Sequence, residues 1–275
     1  MKPVCAITGV SGYVGSCIGK ALAEEFTLLP LGRTPGDTGV FWQFEPEVDV
    51  TAALQQRGAK VLVHSAWDFS HPNAKANWQA NVEGSRKLIE QARSAGVETI
   101  VFISTISAFR DARSEYGKSK LAVEKLVLDA GGTVIRPGLV WGDRPGGMFG
   151  ALRKQVSKGG LVPVIGDGSY PQYLVHEEDL AAVVLRAAKG EFAGRTLTVT
   201  NPRPWPFGDL IHRIAAEQGK SVKLLRVPWR FIYAGLKSAE VAGLKLSFRS
   251  DSVISLVYQD PAPAFSTELD LREFQ

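Results

Sequence analysis

The sequence predicts an α/β fold built on a doubly wound parallel sheet, with a smaller C-terminal lobe. Three observations carry this expectation. A glycine-rich turn, Thr8-Gly9-Val10-Ser11-Gly12-Tyr13-Val14-Gly15, joins a short apolar run to an apolar-periodic segment. Strand-like and helix-like segments then alternate, and the strands are apolar on both faces, as in a parallel sheet covered by helices on each side. Finally, Tyr116 and Lys120 stand four residues apart early in a helical segment and so project from one face.

The elements follow in order. A strand over 3–7 feeds a helix over 12–24, strands are expected at 27–31 and 40–44, and a short helix at 51–57 precedes a fully apolar strand at 60–65. A long helix over 74–95, a strand at 99–104, a helix over 115–130 and a strand at 133–135 complete the Rossmann-like alternation. Beyond it the pattern loosens into Gly/Pro-rich connections at 136–150 and 159–171, separated by a helical stretch at 149–158. A helix over 176–189 and a strand at 195–200 rejoin the sheet. The Pro-rich run PRPWPF then leads to a helix at 207–218, a strand at 222–227 and a helical region at 229–242. Residues 1–142 with about 173–200 therefore read as a dinucleotide-binding domain, and about 143–172 with 201–275 as the smaller, substrate-binding lobe. No internal repeat is visible, which disfavours a solenoid.

The first reading of a function comes from the glycine turn. Such a turn needs positive φ, lets phosphate oxygens approach where no Cβ intrudes, and presents the unpaired amides and positive dipole end of a helix. Its spacing is GxxGxxG, and the flanking strand and helix supply the context that a glycine triplet alone lacks.

Composition removes several classes. A chain of 275 residues with 45% hydrophobic and 22% charged content is an ordinary globular one, and its net charge of +4 comes from scattered Lys and Arg. No basic run is dense enough to track a nucleic acid. No stretch reaches the roughly 18 apolar residues of a membrane span, and the early glycines argue against a secretory signal, so the expected location is cytoplasmic, with no membrane partner. Cys5 and Cys17 imply no disulfide framework, and His64, His71, His176 and His212 are too scattered to form a metal set.

The second reading of a function comes from Tyr116 and Lys120. A phenol with pKa about 10 is a poor base, but a positive charge about 5 Å away contributes roughly 3 kcal/mol at an effective dielectric near 20, about two pKa units. The strand-end hydroxyls of Ser104, Thr105 and Ser107 lie at the sheet's carboxyl edge, where one of them can polarise a carbonyl while Tyr116 moves the proton.

In these residues the chain resembles the extended short-chain dehydrogenase/reductase family, also called the NAD(P)-dependent epimerase/dehydratase family. The resemblance runs through ordered blocks: TGVSGYVG at 8–15, VLVHSAW at 61–67, NVEGSRKLIEQA at 81–92, VFISTISAF at 101–109, YGKSK at 116–120, RPGLVWG at 136–142, and VIGDGS with VHEEDLA within 164–181. It implies Tyr116 as acid/base, Lys120 as the residue that binds the nicotinamide ribose and lowers the tyrosine pKa, and Thr105 as the hydroxyl that orients the substrate. It also implies that Gly9, Gly12 and Gly15 face the pyrophosphate, with Ser11, Tyr13 and Val14 of the same turn among the cofactor-binding residues. Ser65, Ala66, Pro137 and Val140 would flank the nicotinamide half, and Asn81 would support the cofactor site. A homodimer through the helices flanking the Tyr/Lys element is implied by the same analogy.

Cofactor choice is read at Leu31-Gly32-Arg33-Thr34. Gly32 stands where NAD enzymes of this kind carry Asp or Glu, and Arg33 can meet a 2′-phosphate, so NADP(H) is favoured and NAD(H) stays open. Leu139 and Gln172 replace the Asn and Arg usual in nucleotide-sugar members, and Trp67, Phe69, Trp141 and Tyr173 fall near the expected pocket, pointing to a less charged small-molecule substrate with Thr105 and Ser107 beside it. The expected function is an NADP(H)-dependent oxidoreductase acting on a carbonyl or secondary alcohol. The alternatives are a sugar or nucleotide-sugar epimerase/dehydratase with tightly held NAD(P), and a non-catalytic NAD(P)-binding sensor or scaffold.

Overall fold

The computed structural model describes residues 1–71, 73–143, 145–244, 246 and 248–275. Its first half runs β1 (Val4–Thr8), α1 (Tyr13–Ala23), β2 (Thr27–Gly32), β3 (Val40–Phe41), α2 (Thr51–Gln56), β4 (Ala59–His64), α3 (Ala74–Trp78), a π-helical turn (Gln79–Glu83), α4 (Gly84–Ser94), β5 (Thr99–Ile103), α5 (Glu115–Asp129) and β6 (Thr133–Pro137). There follow β7 (Leu139–Trp141), α6 (Gly147–Val156), β8 (Gly160–Ile165), β9 (Pro171–Gln172), β10 (Leu174–His176), α7 (Glu177–Ala188), β11 (Thr196–Val199), β12 (Trp205–Pro206), α8 (Phe207–Glu217), β13 (Val222–Val227), α9 (Trp229–Val241) and α10 (Ser250–Val257).

Seven strands form one parallel sheet in the order β11-β6-β5-β4-β1-β2-β3. Strand order reverses between β1 and β4, which opens a crevice at their carboxyl ends. The two faces are covered separately. Ile7, Val63 and Ile103 pack beneath α1 and α7, whose Ile18, Leu22, Leu180 and Val184 recur at helical spacing. Ala6, Leu62 and Phe102 face Leu54, Leu88 and Val123 of α2, α4 and α5. A third core joins Phe149 and Val156 of α6, Val162 and Val164 of β8, and Leu210, Ile211 and Ile214 of α8. Among the described residues no helix is long and apolar enough to cross a membrane.

Several elements differ from expectation. The strand expected at 40–44 stops at Phe41, because Trp42 turns in to stack on Phe44 (ring centroids 4.8 Å apart) and on His64 (5.9 Å). The helix expected over 74–95 is interrupted by the π-turn, where the Asn81 amide donates to the Asn77 carbonyl at 3.2 Å and disturbs the helical ladder. The loose connections hold short strands. β8 pairs in parallel with β13, with Pro163 opposite Leu225 in a two-stranded ribbon, a place where a strand proline is tolerated. α10 was not foreseen from sequence.

Candidate active site

The glycine turn is shaped for close approach. Gly9 has φ +74°, and a Cβ there would lie 2.7 Å from the Ala66 nitrogen. At Gly15 a Cβ would lie 2.1 Å from the Gly9 carbonyl oxygen, so α1 can begin only because that position is bare. Ser11 and Gly12 are exposed at the N-terminal end of α1, where no side chain caps the first amides. This cradle suits a pyrophosphate. Tyr13 and Cys17 lean instead on Glu177 at the start of α7: the thiol donates to its carboxylate at 3.6 Å, and burial, then that carboxylate, push both the phenol and the thiol up.

A buried chain fixes the far side of the turn. The Thr8 hydroxyl accepts the Ser65 and Ala66 amides, each at 3.1 Å, and lies 2.7 Å from His64 Nδ1. His64 Nε2 lies 2.8 Å from the Ser85 hydroxyl, which donates to the Asn81 carbonyl at 2.5 Å. Since Ser85 spends its proton on Asn81, it accepts from Nε2–H, and Nδ1 accepts from Thr8. The imidazole is therefore neutral, and burial, reinforced by the charge of Lys120, pushes its pKa down to about 3. Asn81 in turn clamps the backbone of Asp68, accepting its amide and donating to its carbonyl, both at 2.8 Å. That clamp holds the loop carrying Trp67 and Phe69.

Tyr116, Lys120 and Thr105 meet at the end of β5. Ser114 caps α5 by accepting the Gly117 amide at 3.1 Å, and Gly117 must lack a side chain, because a Cβ there would lie 2.4 Å from the Ser107 carbonyl. This contact brings the first turn of α5 against the 105–107 turn. Trp67 and Phe69 pack on the Tyr116 ring at 5.8 and 5.7 Å between centroids. Lys120, 2% exposed, donates to the Ile103 carbonyl at 2.7 Å and stands 4.0 Å from the Trp67 ring centre.

The proton affinities depart from expectation. Burial pushes Tyr116 up to about 12, opposed by a hydrogen bond with Thr105, while burial pushes Lys120 down to about 7, opposed by Glu124. The ammonium thus does not lower the phenol here. It is turned toward Ile103 and Trp67, 5.9 Å from the centre of the Tyr116 ring.

Other predicted positions divide. Arg33 is exposed at the end of β2. Burial raises the Asp68 carboxyl, yet hydrogen bonds from Ser70 and the charges of His71 and Arg33 hold it low overall. Pro137 accepts the Ile106 amide at 3.0 Å, beside the Thr105 turn, and Val140 packs on the core beneath β1. Ser107 donates its amide to the Thr105 hydroxyl at 3.2 Å. Trp141 is not brought to Tyr116: its indole is committed to His176 and Phe274, at 4.5 and 5.0 Å. Tyr173 rests on Phe265 at 5.0 Å.

Sequence reasoning missed three contributors. Glu124, one turn beyond Lys120, is buried and accepts from Ser104 and from both Arg136 Nε (2.8 Å) and Nη2 (2.5 Å), and an acid at i+4 from Lys120 was the available signal. Asp251 of α10 accepts the backbone amides of Glu115 and Tyr116, each at 2.9 Å, across 135 residues of chain. Arg249 donates to the carbonyls of Phe69 (2.9 Å) and His71 (3.4 Å). No local pattern announces either of the last two.

Comparison with known proteins agrees with the fold. Residues 5–200 match the family described as NAD dependent epimerase/dehydratase. The chain is 26% identical over 239 residues to a ceramide reductase of Caulobacter vibrioides, covering 82% of this chain and 74% of that protein. It is 24% identical to a mouse (Mus musculus) sterol-4-alpha-carboxylate 3-dehydrogenase, decarboxylating, covering 83% and 72%. Among solved structures it is similar to a dTDP-4-dehydrorhamnose reductase of Bacillus anthracis in complex with NADP, with a TM-score of 0.72 at 16% identity over 92% of this chain and 98% of that one.

Proposed function

The chain belongs to the NAD dependent epimerase/dehydratase family, and on that premise we propose that it is an NADP(H)-dependent oxidoreductase acting on a carbonyl or secondary alcohol of an apolar substrate. The observation that carries the reading is the meeting of Thr105, Tyr116 and Lys120 at the carboxyl edge of the sheet, beside a bare-backbone cradle at Gly9, Gly12 and Gly15. The cradle fits a dinucleotide pyrophosphate, with Ser65 and Ala66 held by Thr8 on its nicotinamide side. When bound, the nicotinamide supplies or accepts a hydride.

The chain's own groups then manage the proton. Tyr116, protonated at neutral pH because burial holds its pKa near 12, gives its proton to the substrate oxygen in reduction and takes one back in oxidation. Thr105 holds the same oxygen. Lys120, donating to the Ile103 carbonyl and 5.9 Å from the centre of the Tyr116 ring, would meet the nicotinamide ribose. Asn81 and His64 act at one remove, fixing the loop whose Trp67 and Phe69 pack on the Tyr116 ring.

Arg33 supports the 2′-phosphate of NADP(H), since no acidic side chain occupies Gly32 to claim a ribose hydroxyl. Leu139 and Gln172 offer no cation for a diphosphate, and two aromatics stand against Tyr116. Relatives named for a ceramide and a sterol support the same reading, in which lipids bearing a ketone or secondary alcohol are the first substrates to test. Residues 143–172 with 201–275 form the substrate side in this reading, and 1–142 with 173–200 the cofactor side. The test is a panel of such ketones and alcohols with NADPH and NADH, read as stoichiometric change in nicotinamide absorbance beside cofactor-induced thermal shifts. A panel without turnover sinks the oxidoreductase reading. The family description also favours an epimerase or dehydratase, which isomerises or dehydrates its substrate with no net absorbance change.

A further inference from the structure

The helical hairpin of α9 and α10 is fixed to the candidate active site on its inner side and left bare on its outer side. Asp251 and Arg249 tie it to the backbone of Tyr116 and of the Phe69 loop, and Trp229 of α9 packs on Tyr258 at 5.9 Å. Glu240 closes the hairpin by accepting from the Ser250 amide (2.7 Å) and hydroxyl (2.8 Å). Among the described residues the other face of α9 is exposed. Phe231, Ala234, Gly235, Ser238 and Val241 recur at three- and four-residue spacing on one exposed stripe, with Phe231 73% and Val241 81% exposed. Beyond the helix, Leu244 (60%) and Leu246 (38%) are also exposed.

The charges bordering that stripe have one sign. Arg230 and Lys237, seven residues apart, project along one edge of it and are exposed. The helix's lone acid, Glu240, lies toward α10, where Ser250 and Arg249 share it, with Lys237 only loosely near at 3.9 Å. A helix that exposes Phe231 and Val241 on a stripe bordered on one edge by cations has the chemistry of an element lying in a lipid headgroup layer. An exposed apolar patch of this kind also marks an interaction surface.

We infer that the outer face of α9, with Leu244 and Leu246, docks this protein peripherally on an anionic lipid surface. Apolar side chains enter the acyl boundary while Arg230 and Lys237 meet the headgroups. Because α10 carries Asp251 to the amide of Tyr116, docking sets the active-site crevice close to the membrane surface. The purpose of the surface rests on the proposed apolar substrate, but its geometry does not.

The experiment is sedimentation of the full chain with vesicles of phosphatidylcholine alone and of phosphatidylcholine mixed with phosphatidylglycerol. Binding is expected to the mixed vesicles and to weaken with added salt. The double variants Phe231→Ser/Val241→Ser and Arg230→Glu/Lys237→Glu should each partition at least about tenfold less. Both should keep the wild-type melting temperature and wild-type turnover of a short, water-soluble ketone. No sedimentation with either vesicle, or sedimentation unaltered in both variants, overturns the inference. So does a concentration-dependent dimer that the Phe231→Ser/Val241→Ser variant abolishes, since a second copy then covers the face. Vesicle binding without nicotinamide turnover leaves docking standing and removes the oxidoreductase reading, whereas turnover without vesicle binding does the reverse.

Discussion

Tyr116 and Lys120 are displaced in opposite senses by the same cause, burial, and the consequences are separable. Tyr116→Phe keeps the ring against Trp67 and Phe69 and removes only the hydroxyl. Turnover is expected to fall by about three orders of magnitude, with the NADPH-induced thermal shift unchanged; near wild-type rates would strip Tyr116 of its role. Lys120 acts on stability as well. Its folded pKa near 7 lies below its ordinary 10.5, so between these values the unfolded chain binds the extra proton and stability rises with pH across that window. Lys120→Met should flatten this rise in denaturant midpoints measured across the window, and an unchanged slope would assign it to other groups. At the other end of the cofactor crevice, Arg33→Ala should weaken NADPH binding by about tenfold or more and leave NADH nearly untouched, as titration with each would read out. Equal losses count against the 2′-phosphate contact.

Elements differ in how plainly their sequence declares them. The central strands were legible because a strand buried on both faces must be apolar at every position, as 61–63 and 100–103 are. The glycine turn and YGKSK were legible because chemistry and backbone there demand particular residues at fixed spacing. The π-turn was not, since the helical period of 74–95 continues through it and only the tertiary position of Asp68 draws Asn81 out of the ladder. Nor was α10, a short run rich in β-branched residues whose purpose lies in a contact 135 residues away. That contact makes α10 an extension of α5: the Asp251 carboxylate satisfies two free amides and meets the positive end of the helix. Asp251→Ala should cost about 1–2 kcal/mol and lower kcat while leaving the Kd for NADPH unchanged, with Asp251→Asn intermediate because it keeps one acceptor. If kcat holds while the melting temperature falls, α10 only braces the fold.

Across the whole molecule, the core beneath α1 and α7 and the smaller core are joined by an irregular run over residues 264–275. Leu269 and Leu271 pack with α1 and α7 on the sheet, and Phe274, three residues on, enters the core of α6 and α8 against Phe149, Trp141 and Trp205. Polar contacts pin the run between them: Ser266 accepts the Thr198 amide at 3.0 Å, and Arg272 reaches Glu178 (2.8 Å) and Asp179 (2.9 Å) on α7. The exposed Arg272–Glu178 pair contributes little, about 0–1 kcal/mol. The apolar anchors decide the matter, since truncating a buried Phe typically costs about 3–5 kcal/mol, a large share of a domain's stability. Phe274→Ala should therefore loosen the smaller core selectively and uncouple it from the sheet. In calorimetry, a single wild-type transition is expected to split, the lower one insensitive to NADPH and the upper one still raised by it. A variant that melts in one transition at the wild-type temperature would show that the cores are coupled elsewhere, through β7–β10 pairing or the α5–α10 contact.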